Sequence, residues 1–151
     1  MDVRSVGVEE ELLLVDSDSG QALALSAAVL QHVPKCDEVA LTSELTRQQI
    51  ETNTQPCNSV DDLGRELRRW RRAAADAASS HNAAIAALAT SPLPVHPSIT
   101  SSPRYERMVD QFGLTAEEQL TCGCHVHVGI ESEAEGVAVL DRIRGWLPCL
   151  R

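Results

Sequence analysis

The sequence predicts an α+β fold in which helices pack on one face of an antiparallel sheet. Strand-like and helical segments follow one another without the regular alternation that parallel strand–helix units require. The chain has 151 residues, of which 43% are hydrophobic and only 3% aromatic. This length suits one modest core built from aliphatic side chains, so we expect a single domain over residues 1–151.

The first predicted strand spans residues 5–15 and ends at a turn signal over residues 16–20. Strand side chains alternate between two faces, so Glu9 and Glu11 would share one face and Glu10 would take the other. Two carboxylates stacked on one face repel each other unless a positive charge lies between them. A divalent cation is the usual solution, so the first strand predicts half of a metal site.

A hairpin is predicted next, after a short helix over residues 26–33. Two strands, residues 38–45 and 48–53, are joined around Thr46 and Arg47. They carry a second acidic pair, Glu44 and Glu51.

The second hairpin strand places Gln49, Glu51 and Asn53 on one face. A face with two amides and a carboxylate is natural for a polar site. An exposed edge strand with a polar outer face has the same pattern, so both interpretations stay open.

Ser59 begins the longest predicted helix and forms a capping-box pattern with Asp62. The helix has an apolar stripe that we expect to be buried: Val60, Leu63, Leu67, Trp70, Ala74 and Ala77. Five arginines fall mostly on its outer face: Arg65, Arg68, Arg69, Arg71 and Arg72. They favour a solvated helix surface over a phosphate-binding site.

The second half of the chain is less regular. Residues 83–90 are small and apolar, which predicts either an extension of the long helix or a further strand. Three prolines then predict an extended loop over residues 91–98. A short helix over residues 103–112 precedes a strand over residues 119–130.

A final amphipathic helix is predicted over residues 134–147. Its apolar positions recur at helical spacing, so we expect it to bury Val137, Leu140 and Ile143.

The segment 122–129 reads Cys-Gly-Cys-His-Val-His-Val-Gly and suggests two kinds of site. The letters alone suggest zinc bound by Cys122, Cys124, His125 and His127. Strand alternation opposes this, because it places both histidines on one face and both cysteines on the other. We therefore predict that the cysteines are small buried residues. The histidines then face a ligand site or form a structural pair.

If the three polar faces meet in one sheet, Glu9, Glu11, Glu44, Glu51 and His125 converge. Oxygen-rich sites with an occasional imidazole suit Mg²⁺ or Mn²⁺, which in turn hold nucleotide phosphates.

Composition excludes several other classes of function. The net charge of −9 opposes binding to nucleic acid, which needs a basic surface. No apolar run reaches the length of about 20 residues that spans a bilayer. The start of the chain has no signal-peptide pattern, and the five cysteines do not form a disulfide framework. We therefore expect a cytoplasmic protein with reduced thiols.

Three motifs in order resemble the bacterial type 2 glutamate–cysteine ligases, also called carboxylate–amine ligases. They are Gly-Val-Glu-Glu-Glu-Leu at residues 7–12, Gln-Ile-Glu-Thr-Asn-Thr at residues 49–54, and the segment 122–129. The resemblance implies part of a glutamine-synthetase-like catalytic domain that binds ATP and Mg²⁺ on one face of its sheet. It implies Glu9, Glu11, Glu44, Glu51 and His125 as metal ligands or their neighbours, with Asn53 and His127 facing substrate or phosphates.

The resemblance also implies a reaction. Family members phosphorylate the γ-carboxylate of glutamate with ATP, and the amine of cysteine then attacks to give γ-glutamylcysteine, ADP and phosphate. They continue well beyond the His-Val-His segment, so this chain is expected to be the N-terminal portion of such a domain. The alternatives are an active ligase and a non-catalytic chain that binds metal or nucleotide, forms oligomers, or associates with a complementing C-terminal chain.

Overall fold

The computed structural model describes residues 3–33 and 41–149. Within these residues, an antiparallel five-stranded sheet is accompanied by α-helices, which confirms the predicted α+β class. The strands are β1 (Val6–Asp16), β2 (Leu41–Ser43), β3 (Gln49–Asn53), β4 (Ala83–Ala86) and β5 (Cys124–Val128). The α-helices are α1 (Ser26–Gln31), α2 (Val60–Ser79), α3 (Pro103–Phe112), α4 (Leu114–Glu117) and α5 (Glu133–Ile143).

Strand β1 is the centre of the sheet. Along one side it pairs with β3, and β2 lies beyond β3. Along the other side it pairs with β5 through its first half and with β4 through its second half. An 11-residue strand is therefore long enough to join all three neighbours.

The two faces of β1 have different roles. Leu12 and Leu14 belong to the main core, where they pack with Val29 of α1, with Ile50 of β3 and with the small side chains of α2. Leu13 lies on the opposite face and packs with Leu120 and Cys122 in a smaller cluster. Glu9 and Glu11 lie on the face of Leu13, so the acidic face is separated from the main core by the sheet itself.

Helix α2 starts where the sequence predicts. The Ser59 hydroxyl accepts a hydrogen bond from the backbone N–H of Asp62 at 3.1 Å, which confirms the N-cap. It also donates to the Asp62 carboxylate at 2.6 Å. Trp70, Ala74 and Ala77 are buried as predicted. Val60 is 81% exposed, contrary to the prediction, because it is the first residue of the helix.

Several predicted boundaries change. Residues 83–90 contain the strand β4 rather than a helix extension. The predicted strand 119–130 is shorter, and α4 was not predicted. Part of the predicted strand 38–45, and the residue Pro34 after α1, lie outside the described residues.

The burial predicted for the last helix is wrong. None of the residues of α5 is buried, and Val137 and Leu140 are 60% and 64% exposed. Within residues 3–33 and 41–149, no element covers the apolar side of this helix.

No helix in these residues is both long and apolar enough to cross a membrane.

Candidate metal and ligand site

Three carboxylates from successive parts of the sheet converge on one side of it. Glu11 of β1 lies directly opposite Glu51 of β3, and Glu44 follows the last residue of β2. One carboxylate oxygen from each of the three lies within 4.8 Å of the other two. We call Glu11, Glu44 and Glu51 the carboxylate triad; each member is half-buried.

Neighbouring donors fix the orientation of two triad members. The Glu11 carboxylate accepts a hydrogen bond from the backbone N–H of Gly123 at 2.9 Å and from the Gln49 amide at 3.3 Å. The Asn53 amide donates to Glu51 at 2.7 Å. Gln49 and Asn53, on the polar face of β3, therefore contact the carboxylate triad. This face is not simply the solvated side of an edge strand.

The third member, Glu44, has a raised pKa. Burial is the main cause, and the negative charges of Glu11 and Glu51 add to it, while the Leu45 backbone N–H and Arg104 act in the opposite direction. Ionisation of Glu44 beside Glu11 and Glu51 is thus unfavourable, and a bound cation would offset the repulsion between the three carboxylates.

Glu9 and the two histidines form a second group. Strand β5 places His125 opposite Glu9 and His127 opposite Gly7. The Glu9 carboxylate lies 3.1 Å from His127 Nε2 and 3.5 Å from His125 Nδ1. The five residues predicted as metal ligands therefore fall into two groups: the carboxylate triad, and Glu9 with His125.

A cleft of about 290 Å³ opens beside Glu9. It is lined by Gly7, Asn53, Thr54 and His127 among others. Both residues predicted to face substrate or phosphates, Asn53 and His127, therefore line a space next to the acidic face. A volume near 300 Å³ is at the small end of ligand sites in proteins.

Gly123 has no side chain, so His125 and Glu11 can both lie close to its backbone. A Cβ atom at this position would lie 3.0 Å from His125 Nε2 and 3.4 Å from a Glu11 carboxylate oxygen. A larger residue would push the histidine away from the acidic face.

Each of the two cysteines confirms one part of its prediction, since Cys122 is buried and Cys124 lies on the face away from the histidines. Cys124 is exposed and pairs with Glu10, on the face away from the histidines. Cys122 is buried, but it packs against Leu13, on the face of the sheet that also carries Glu9 and Glu11. The strand begins only at Cys124, and the Cys122 backbone N–H donates to Ala89 instead of continuing the ladder with β1.

The zinc arrangement therefore does not form. In the part of the chain that the structure describes, the one group of three or more metal-binding side chains with suitable spacing is the carboxylate triad.

Sequence reasoning missed the contribution of α3. Its residues Arg104 and Tyr105 lie close enough to the triad to interact electrostatically with Glu44. The Tyr105 hydroxyl donates to the Ser43 carbonyl, 62 residues away in sequence, at 3.4 Å. No local pattern signals such a contact.

Comparison with known proteins identifies the family. The family model described as "Glutamate-cysteine ligase family 2" matches residues 5–151. A Streptomyces avermitilis protein named "Putative glutamate--cysteine ligase 2-1" is 53% identical over 98% of this chain and 41% of its own length. A Streptomyces coelicolor protein named "Putative glutamate--cysteine ligase 2" is 49% identical, with the same coverage of both chains.

A third relative, from Paenarthrobacter aurescens, is named "Putative glutamate--cysteine ligase 2-3" and is 50% identical over 98% of this chain and 35% of its own length. The chain thus spans about two fifths of the length of these relatives. The family match covers nearly all of the chain and all three motifs of the acidic face. The chain belongs to glutamate–cysteine ligase family 2.

Proposed function

We propose that this chain carries the metal-binding and nucleotide-facing part of an ATP-dependent carboxylate–amine ligase. The observation that carries the proposal is the convergence of the Glu11, Glu44 and Glu51 carboxylates. Family membership suggests a use for these carboxylates. Phosphoryl transfer depends mainly on positioning and on neutralisation of charge, and a cation held by the three carboxylates would contribute to both.

The donor set fits a hard divalent cation. Mg²⁺ binds oxygen at about 2.0–2.1 Å, so two ligands on opposite sides of the ion lie about 4 Å apart. The oxygen spacing in the triad, within 4.8 Å, is compatible with that geometry. Hydrogen bonds from Gly123, Gln49 and Asn53 hold two of the carboxylates in place, as outer partners of metal ligands commonly do.

The second group extends the proposed site toward the cleft. In this proposal, Glu9 and His125, whose side chains lie 3.5 Å apart, hold a further cation or contact what it binds, and Asn53 and His127 line the cleft. When bound, Mg²⁺ or Mn²⁺ would neutralise charge on the phosphate oxygens of ATP.

The proposed reaction joins glutamate to an amine such as cysteine. The γ-phosphoryl group of ATP passes to the γ-carboxylate oxygen of glutamate and ADP leaves. The amine nitrogen then attacks the acyl carbon, phosphate departs and the nitrogen loses a proton, giving γ-glutamylcysteine. In this scheme, the carboxylate triad would hold the cation, and the bound cation would supply the positive charge that offsets the phosphate oxygens.

A second candidate function is binding of metal and nucleotide without turnover. It is favoured by the coverage of the relatives, of which the chain spans 41% in the two Streptomyces proteins. Under this candidate, the chain contributes one side of a site that another polypeptide segment completes.

Calorimetric titration with Mn²⁺, with and without ATP, tests the shared part of both functions. We expect the Glu11→Gln, Glu51→Gln double variant to lose at least about tenfold in Mn²⁺ affinity, since each carboxylate supplies charge to the ion. The control is the Glu117→Gln, Glu118→Gln variant, which removes two exposed charges from the region of α4. Equal affinity in the triad variant and the parent would exclude the proposed metal site.

Turnover separates the two functions. Incubation of the chain with ATP, Mg²⁺, glutamate and cysteine yields ADP and dipeptide if the chain is a ligase on its own. Metal-dependent ATP binding without either product would support the binding function alone.

A further inference from the structure

Two histidines meet where helices α1 and α2 end. His32 is the C-cap residue of α1, and His81 directly follows Ser80, the C-cap of α2. His32 Nδ1 lies 3.2 Å from His81 Nε2, and the two rings meet edge to face with centroids 4.8 Å apart. We call His32 and His81 the histidine pair. Both helices pack on the main core, on the side of the sheet opposite the acidic face, so the pair is not part of the carboxylate site.

Packing fixes the backbone positions from which the two rings project. Val29 of α1 and Ala78 of α2 are both fully buried in the main core, which holds the ends of the two helices together. The backbone after His81 is held as well. Asn82 has a left-handed conformation with φ of 54°, and its carbonyl accepts a hydrogen bond from the Ser17 hydroxyl at 3.1 Å. The fold therefore brings the histidine pair together before any ligand binds.

The atoms around the histidine pair are rich in lone pairs. The His32 backbone N–H donates to the Val29 carbonyl, whereas the Ala28 carbonyl oxygen lies 3.0 Å from His32 Nδ1. Two ring protons would clash across a gap of 3.2 Å, so two neutral imidazoles place at most one proton between them. Three atoms that can accept hydrogen bonds thus share one proton. A metal ion in place of that proton would receive a lone pair from each ring.

The surroundings of the histidine pair also favour a cation. The last carbonyls of a helix carry partial negative charge, and His81 lies just beyond the end of the 20-residue helix α2. His32 is exposed and His81 is half-buried, so an ion can reach both rings from solvent.

We propose that the histidine pair binds a divalent transition metal, with Zn²⁺ as the best fit, and thereby links α1 to α2. Two Zn–N bonds of about 2.0–2.1 Å at a tetrahedral angle separate their nitrogens by about 3.3 Å, close to the observed 3.2 Å. Neighbouring nitrogens around a square-planar ion would lie only roughly 2.9 Å apart. His32 coordinates through Nδ1 and His81 through Nε2, and the proton between them is released on binding.

The proposed ion differs from that of the carboxylate triad. Imidazole nitrogen suits Zn²⁺, whereas carboxylate oxygen suits Mg²⁺ and Mn²⁺. Excess Mg²⁺ is therefore expected to leave Zn²⁺ on the histidine pair. The inference goes beyond the proposed function and does not rest on it.

Nuclear magnetic resonance of the imidazole nitrogens tests the site in the unaltered chain, because all five histidines can be followed together. With excess Mg²⁺ present, one equivalent of Zn²⁺ is expected to shift the signals of His32 Nδ1 and His81 Nε2. The signals of His96, in the loop after β4, should stay in place.

Variants test whether the two rings hold one ion together. Calorimetric titration with Zn²⁺ uses the His125→Gln, His127→Gln background, which removes the other two adjacent histidines. His32→Gln and His81→Gln should each weaken Zn²⁺ binding at least about tenfold, because one imidazole alone cannot chelate the ion. The matched control is His96→Gln, an exposed histidine outside both pairs. It should keep the affinity of the background protein.

Thermal melting measures the link between the helices. Zn²⁺ should raise the melting temperature of the same background protein, since it binds the folded state. His32→Gln and His81→Gln should each lose that rise, while in EDTA both should melt like the His96→Gln control.

Two outcomes would overturn the proposal. One is the absence of Zn²⁺-dependent shifts at His32 and His81, and the other is equal Zn²⁺ affinity in either single variant and the His96→Gln control. The pair would then be a hydrogen-bonded contact without a metal. Binding at the carboxylate triad is measured with Mn²⁺ and with carboxylate variants, so either proposal can fail without the other.

Discussion

The guanidinium of Arg71 on α2 forms two hydrogen bonds with the carboxylate of Glu10, one through Nε at 2.7 Å and one through Nη2 at 2.5 Å. The Glu10 side chain is only 6% exposed, whereas that of Arg71 is 51% exposed. The middle glutamate of the triplet is thus neutralised from the helix side. Its two neighbours, Glu9 and Glu11, remain available on the other face.

Replacing Arg71 tests this pairing. The Arg71→Met variant leaves a buried carboxylate without its partner, so we expect the free energy of unfolding to fall by about 2 kcal/mol. That value lies below the 3–5 kcal/mol typical of a fully buried pair, because Arg71 is partly in water. Urea denaturation measures the change.

The control is Arg72→Met, which removes an exposed arginine from the next position of the same helix. It is expected to stay within about 0.5 kcal/mol of the parent. The Glu10→Gln, Arg71→Met double variant should recover part of the loss, because no charge remains buried. Equal stability of Arg71→Met and the parent would show that the pair contributes nothing.

The raised pKa of Glu44 predicts a pH dependence of stability in the metal-free chain. Burial, together with Glu11 and Glu51, lifts this pKa above the ordinary glutamate value of about 4.3. Between these two values the folded state holds more protons than the unfolded state, so stability falls as pH rises through that interval. The contribution becomes constant above the raised pKa.

Glu44→Gln removes the group responsible. In EDTA, we expect the variant to gain stability over the parent as pH rises above about 4.3. Thermal melting across pH measures the difference, with Glu117→Gln as a charge control. Added Mn²⁺ should reverse the order at neutral pH, since it favours the ionised triad. A constant difference between Glu44→Gln and the parent across pH would contradict the expectation.

The cysteines predict an order of alkylation. Cys124 and Cys149 are exposed, whereas Cys57 and Cys122 are buried. Burial raises the pKa of the Cys122 thiol, and the Glu11 carboxylate adds to the rise, although the Gln49 amide opposes it. We expect iodoacetamide to modify Cys124 at least about tenfold faster than Cys122 in the folded chain, as judged by peptide mass spectrometry.

The control is the same reaction in urea, where the two rates should become similar. Equal rates in the folded chain would mean that Cys122 is accessible, which would contradict its packing against Leu13.

The N-cap of α2 predicts a modest stability effect. Ser59→Ala removes the acceptor for the Asp62 backbone N–H, so we expect a loss of about 1 kcal/mol in urea denaturation. Ser59→Thr keeps the hydroxyl that accepts from the Asp62 backbone N–H and donates to the Asp62 carboxylate, and should retain most of the stability. An equal loss in both variants would assign the effect to packing rather than to the cap.

Local geometry explains what could be predicted. Alternation along a strand needs no tertiary information, so the separation of Glu10 from Glu9 and Glu11 was predictable. The short connection between β2 and β3 places Glu44 near Glu51, whereas the pairing of Glu51 with Glu11 joins β3 to β1, two strands far apart in the sequence.

Tertiary structure explains what was missed. The place where β5 begins depends on the contact of Cys122 with Ala89, a residue in a distant loop. Arg104 and Tyr105 reach the triad from α3 through packing that no local pattern encodes. The last helix has the periodicity of a buried helix, but periodicity does not reveal whether anything covers it.

The division of β1 between an acidic face and a core face has a consequence for folding. A shift of one residue in strand pairing would turn Leu12 and Leu14 outward and direct Glu9 and Glu11 toward α2. Two carboxylates would then compete for the single guanidinium of Arg71 in an apolar setting, and the mispaired sheet would be strongly disfavoured. The glutamate triplet therefore also specifies the register of β1, because the shifted pairing is less stable than the native one even before any ligand binds.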